Sequence, residues 1–494
     1  SFPTRRSSDL TFDDDISVQI SCFRATRFLA KSHGDAFADT NILAVIVFNA
    51  RRHIADIDLV RWACDAVATL ISQQRSQKEV AISVGIVPLV HHLLRSPSAA
   101  TDVNVALAGL RTMSNLSSYV LKHGAPIELG MGATVAQLLC RFCMQARVIK
   151  FCGRIFSLRS CGLQTPIANQ VTISLIATVR ANMTDAVVIA TIFDVFFHVA
   201  MSGQLREQVL DLAFDILDGP IRTDAAAVRS IFAVMTLYTA NDTTRRRITS
   251  TVLSVVDPAH LGNGKVIGVA CKLLVFTEED MENLESGLPV TVERGGLRFV
   301  LKCLSNADLS NSAFKWSMTL LITVSNHPIG VAALTSAKAA GVMLDRLHRK
   351  LAHHPLHRHL VSPIKSSFVV LQRLFDKDCR YNQHVANEMG AVSKMLSSLT
   401  SCIEGESISN ARQICNMTQQ LVNGNAISAQ KFVEADGIEV LNGLLTRITG
   451  RPGEAYQDLH AAICDTLETV AAASEDYAQE IRARLQQVQL NQNT

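Results

Sequence analysis

Six glycines, Gly85, Gly132, Gly296, Gly341, Gly390 and Gly437, are each followed by an apolar residue and then by a helix-spaced apolar run. The first pair lies 47 residues apart, and the last four are separated by 45, 49 and 47 residues. A unit of this length cannot bury its apolar face alone, so a period of this size predicts helical units stacked on their neighbours. The expected fold class is all-α, a right-handed superhelical solenoid.

The clearest unit runs from Ser76 to Ser118. Ser76 with Glu79 forms a capping-box pattern that predicts a short helix, and Gly85 then permits a left-handed turn. Ile86 to Arg95 predicts a second helix, broken at Ser96-Pro97. Thr101 and Asp102 precede a third and longer helix, with Val103, Leu107, Leu110 and Met113 at helical spacing and its end at Asn115. The order returns as Tyr381 to Met389, Gly390 to Leu399 and Ser407 to Asn423. The spacing from glycine to asparagine is 30 residues both from Gly85 to Asn115 and from Gly296 to Asn326.

This order resembles the armadillo repeat, over Asp58 to Cys143 and again over Val290 to Asp476, and more weakly between them. Residues 144 to 289 predict HEAT-like or degenerate hairpins, with Ala186 to Ser202, Gln204 to Leu217, Asp224 to Tyr238 and Val266 to Phe276 as helices. An insertion of about twenty residues is expected around Gln145 to Gln164, by the repeat logic. The organisation read from the chain is therefore incomplete N-terminal helices over 11–57, armadillo or HEAT-like repeats over 58–276, an acidic hinge over 277–289, and further repeats with a polar capping helix over 290–494. Ser1 to Leu10 reads as the translation of a sequencing adapter and is set outside fold reasoning. The native N-terminus is then expected to be missing.

The resemblance implies a non-catalytic protein-interaction scaffold. Long helices of that family line a groove in which an asparagine near the helix end holds a peptide backbone, and here the corresponding positions are Asn115, Asn182, Asn326 and Asn423. The residues four before them are Arg111, Thr178, Ile322 and Gln419, where family members that import nuclear cargo place tryptophan. With no aromatic cage at any of them, that role is not expected. Arg111 and Gln419 remain as candidate groove residues. Trp62 and Trp316 lie earlier in their helices and are read as core.

Two basic blocks offer a different partner chemistry. No acidic residue occurs between Glu128 and Asp185, whereas Arg141, Arg147, Lys150, Arg154, Arg159 and Arg180 do. Lys338 to Arg373 holds Arg346, Arg349, Lys350 and Arg358 among seven cations, against Asp345. Such patches suit acidic protein segments, and nucleic acid or an anionic lipid surface less well, few aromatic residues for base stacking accompanying them. A chaperone cofactor clasping a folded partner is a third reading that the resemblance allows. The net charge of +3 favours no polyanion globally.

Metal ligation is considered at Cys140, Cys143, Cys152 and Cys161 and at His348, His353, His354, His357 and His359. The cysteine gaps are long for a zinc ribbon, and Pro355 interrupts the histidine helix, so buried thiols and a histidine-rich loop are preferred and no cofactor is expected. Gly262 to Val266 lacks the full P-loop pattern, and no catalytic His-Glu-x-x-His or Gly-x-Ser-x-Gly motif occurs, so no enzymatic activity is expected. Twelve scattered cysteines suit reduced thiols in a cytosolic or nuclear protein. No stretch is long and apolar enough to span a bilayer.

Overall fold

The computed structural model describes residues 15–33, 37, 41–73, 76–123, 131–156, 165–199, 202–238, 242–278, 295–306, 309–326, 328–353, 361–375, 380–388, 390–404, 407–449, 451–473, 477–479, 481–483 and 486. Among these the only regular secondary structure is helix. The chain divides into two compact units, Ser1–Tyr238 and Thr239–Thr494. The division falls before the acidic segment 277–289, most of which lies outside the described residues, as do Ser1 to Leu10.

In the first unit, one layer consists of Ile16–Ser32, Ile57–Gln73, Val103–His123, Ala146–Phe156, Ala186–Phe196 and Ala225–Met235, each packed on the next. A second layer consists of Ile42–Arg52, Ile86–Arg95, Met131–Arg141, Thr165–Ala181 and Gly203–Leu217. The second unit repeats the plan. Gly264–Glu278, Asn311–Ser325, Val361–Phe375, Ile408–Val422 and Glu454–Ala473 stack in one layer. Asp242–Ala259, Gly296–Ser305, Ala339–His353, Ala391–Glu404 and Gly437–Ile448 stack in the other. Each unit is thus an all-α solenoid of helical repeats. The layers exist because every helix buries an apolar stripe that its own repeat cannot cover.

Local chemistry explains the helix boundaries, with two departures from expectation. Gly85 takes φ +83° before Ile86, as the turn requires. The same left-handed turn is carried by Gly390, and elsewhere by Gly295, Lys338 and Asp436, so Gly296, Gly341 and Gly437 of the six repeated glycines do not carry it. Gly437 lies inside its helix instead, where a Cβ would fall 2.6 Å from the Phe432 carbonyl oxygen, so close approach explains that glycine. Ser76 has helical φ and ψ and its hydroxyl caps nothing, so the expected capping box does not form. Ser96 caps an additional one-turn helix, Pro97–Thr101, by accepting from the Ala99 amide at 3.1 Å. Asp185 and Asp224 cap their helices, with amides donating to their carboxylates at 2.8–3.0 Å.

The expected insertion at Gln145 to Gln164 is a correction. Residues 146–156 form a helix that continues the long-helix layer, packed between the 103–123 and 186–196 helices. From here the first unit changes from three-helix repeats to two-helix repeats. Val148, Ile149, Cys152, Ile155 and Phe156 are buried, while Arg147, Lys150 and Arg154 are exposed. Gly153 faces Val195, and a Cβ there would lie 2.9 Å from a valine methyl, so the two helices meet closely. Phe193 and Phe196 of the 186–196 helix are both fully buried and meet edge to face at 5.4 Å. Each such ring contributes roughly 2–3 kcal/mol by removal from water.

Candidate functional site

The four asparagines differ in their place along their helices and in the groups they bind. The 103–123 helix runs past Asn115, which is therefore interior to it, and Asn115 Nδ2 donates to the Ala68 carbonyl of the neighbouring long helix at 2.8 Å. Asn326 is exposed at a helix end, and its Oδ1 accepts from Arg373 of the next long helix at 2.6 Å. Asn182 follows a helix of the other layer, because residues 146–156 shift the register of the repeats. That layer places it outside any ladder formed by the long helices, and its Nδ2 donates to the Thr178 carbonyl at 2.8 Å. Asn423 is exposed and makes no side-chain hydrogen bond among the described residues; Gln419, one turn earlier, is half-buried. Asn115 and Asn326 use their polar groups to tie neighbouring helices together.

The two basic blocks also separate. Arg346 is buried, 2% exposed, and donates to the carbonyls of Asn306 and Leu309 at 2.9 and 3.0 Å, so it belongs to the interior and not to a surface patch. Arg349 pairs with Asp345, which Lys394 also approaches at 3.2 Å. Burial pushes the Asp345 carboxyl up, but hydrogen bonds from Lys394 and Arg349 outweigh it and hold the group below its ordinary value. Lys350 donates to Asn311 Oδ1 at 3.1 Å; burial first, and then Arg346, lower its pKa. Arg358, His354, His357 and His359 lie outside the described residues, as does the side chain of His353. His348 contacts Ser398 Oγ at 3.0 Å. Arg346, His348, Arg349, Lys350 and Arg373 of the second block are thus engaged with the protein itself.

The first block behaves differently. Arg147, Lys150 and Arg154 follow spacings of three and four, so they form one stripe on the 146–156 helix. With Val187, Ala190, Thr191, Asp194 and His198 of the next repeat, and Arg229 and Ser230 of the one after, they line a groove of about 730 Å³. Val187 is 67% exposed on its wall. Asp194 accepts from Ser230 Oγ at 2.7 Å. Burial lowers the His198 pKa, and Asp194 opposes that shift. Arg147, Lys150 and Arg229 form no ion pair among the described residues. Arg141 lies on the other layer, beside a second groove lined by Leu94, Ala133, Gln137 and Gln170, and Arg159 is outside the described residues. Sequence reasoning found the stripe but not Val187, Asp194, His198 or Arg229. The apolar spacing of Val148, Ile149, Cys152 and Phe156 was the signal that this segment is a helix of the stack.

Neither tryptophan is core. Trp62 and Trp316 are half-buried, each the sixth residue of its long helix, and each is flanked by its own cations. The guanidinium carbons of Arg24, Arg61 and Arg27 lie 4.4, 5.1 and 5.7 Å from the Trp62 ring centre. Lys315 and Lys272 lie 5.4 and 5.6 Å from that of Trp316. Arg111 joins the Trp62 cluster through Asp65, 3.8 Å away, and donates to Thr69 Oγ1 at 3.3 Å. Its pKa is lowered by burial, with Asp65 opposing and Arg27 reinforcing the shift.

Cys140 and Cys143 are half-buried and Cys152 is buried, with its thiol 3.9 Å from the Val135 carbonyl; Cys161 lies outside the described residues. No group of three or more His, Cys, Asp or Glu side chains is placed to hold a metal among the described residues. No described helix is long and apolar enough to cross a membrane.

No family model and no curated protein matches the chain. Among solved structures, an engineered protein is similar over 93% of this chain and 97% of its own, at 15% identity and a TM-score of 0.50. A chain from work on the interaction between cadherin and beta-catenin is similar over 96% of this chain and 92% of its own, at 14% identity and a TM-score of 0.46. The likeness to the engineered protein is one of fold.

Proposed function

We propose that the protein is a non-catalytic interaction scaffold that binds an acidic protein segment in the groove of its first unit. The observation that carries this reading is the stripe of Arg147, Lys150 and Arg154 beside Arg229, with Val187 exposed on the same wall. Arg147, Lys150 and Arg229 form no ion pair among the described residues, so their Coulomb attraction is directed to a partner in the groove. Three neighbouring helices at about 9 Å spacing give a groove roughly 20 Å long, enough for about six residues of extended chain. Asp194, bonded by Ser230, sets one carboxylate against the four cations that line the groove. The reading extends the solenoid's general use as a surface for partners. The scattered cysteines of the sequence are the ground for placing this work in the cytosol or nucleus.

The test is fluorescence anisotropy with a labelled ten-residue probe that alternates glutamate and leucine. Binding should weaken steeply between 50 and 300 mM salt, and Lys150→Glu with Arg154→Glu should cost about 2 kcal/mol, roughly thirtyfold in affinity. Unchanged affinity in the double variant would place the segment elsewhere.

A further inference from the structure

Around Trp62 the charges do not balance. Four guanidinium groups, those of Arg24, Arg27, Arg61 and Arg111, gather on three consecutive long helices. The described carboxylates among them are Asp65, between Arg27 at 3.3 Å and Arg111 at 3.8 Å, and Asp58, 3.7 Å from Arg61. Four positive charges against two negative leave an excess of two. Arg24 pairs with no carboxylate among the described residues, and its stacking on the ring at 4.4 Å leaves its N–H edge available. Arg61 Nε is buried and has no acceptor there.

We propose that this cluster is a binding site for a phosphate monoester. A monoester carries a charge of about −1.5 to −2 near neutral pH, which matches the excess, and three acceptor oxygens suited to guanidinium forks. Trp62 holds Arg24 and Arg61 by cation–π contact and so orders them before the ligand arrives. The second unit supplies an internal comparison. At the same helix positions it places Lys315 and Lys272 beside Trp316, ammonium groups without a planar fork. The site is separate from the groove over residues 146–230, and its failure would leave the acidic-segment reading intact.

The two tryptophans make the test direct, since Trp316→Phe leaves Trp62 as the sole indole reporter and Trp62→Phe leaves Trp316. The full chain carrying Trp316→Phe is titrated at constant ionic strength with inorganic phosphate, with a phosphoserine peptide, with its unphosphorylated form and with a single-stranded oligonucleotide lacking terminal phosphates. Saturable change of Trp62 emission is expected with phosphate and the phosphopeptide. It should weaken at least fivefold in Arg24→Gln, a change at an exposed side chain that the fold tolerates, and only partly in Arg24→Lys. Phosphate binding as tightly as the peptide would assign the site to free phosphate, and tenfold tighter peptide binding would assign it to a phosphorylated protein. Either supports the monoester site. No response to phosphate or phosphopeptide, equal response to the unphosphorylated peptide or to the oligonucleotide, an unchanged response in Arg24→Gln, or an equal response of Trp316 in Trp62→Phe would overturn it.

Discussion

Arg373 donates to Asn326 Oδ1 at 2.6 Å and, through the same nitrogen, to Ser325 Oγ at 2.8 Å. This joins the end of one long helix to the side of the next. The asparagine that the repeat pattern marks for a ligand's backbone is here spent on a neighbouring repeat.

Asn326→Ala should therefore lower stability by about 0.5–1.5 kcal/mol, the usual net worth of such a bond. Urea denaturation followed by circular dichroism measures it. An unchanged midpoint, together with weakened partner binding, would restore Asn326 to a recognition role.

Arg346→Met should cost more, about 2–3 kcal/mol, because the carbonyls of Asn306 and Leu309 lose a charged donor within a buried site. Arg147→Met, on an exposed stripe, should stay within about 0.5 kcal/mol. Equal midpoints for the two variants would contradict the assignment of one arginine to the interior and the other to the surface.

Stability should fall as the solution is acidified through the histidine range. His91 is buried, and burial, followed by the nearby Arg95, holds its pKa below the ordinary value. The folded form thus keeps the ring neutral, while the unfolded chain takes up a proton near pH 6.5. The resulting stability is complete above that pH and is lost as pH falls from about 6.5 toward the lowered folded value. His91→Gln should flatten the decline of the urea midpoint between pH 7.5 and 5.5; an identical slope would show that other groups set it.

Phe193→Ala removes a fully buried ring that packs edge to face on Phe196 and should cost about 3–5 kcal/mol. Trp62 reports on the first unit and Trp316 on the second. The urea midpoint followed by Trp62 in a Trp316→Phe background should drop clearly, and a drop below 1 kcal/mol equivalent would mean that the interface repacks.

Much of the stacking was legible in the sequence because buried stripes repeat with it. Ile86 to Leu94 and Ala411 to Leu421 show helical spacing that only packing against neighbours satisfies. The helix at 146–156 was obscured by reading the glycine-to-asparagine distance as fixed, although its own apolar residues keep the helical period. Hydrogen-bond destinations were not legible: nothing local distinguishes Asn115, which reaches Ala68, from Asn423, which reaches no described group. Arg346 lies beside Met343 and Leu347 on the buried stripe, but its charge concealed what that position implies. The groove at Arg147 to Arg229 required three repeats to be placed side by side, and no single stretch of chain contains it.

The most direct measurement is site-specific photo-crosslinking in extracts of the source cell, with the reactive group at Thr191 in the groove or at Ile173, exposed on the other layer. Segments recovered at Thr191 should carry a net negative charge, should disappear when Arg147, Lys150 and Arg154 are changed to glutamate, and should be absent at Ile173. Segments without acidic bias, or the same segments from both positions, would contradict a partner held by the basic groove.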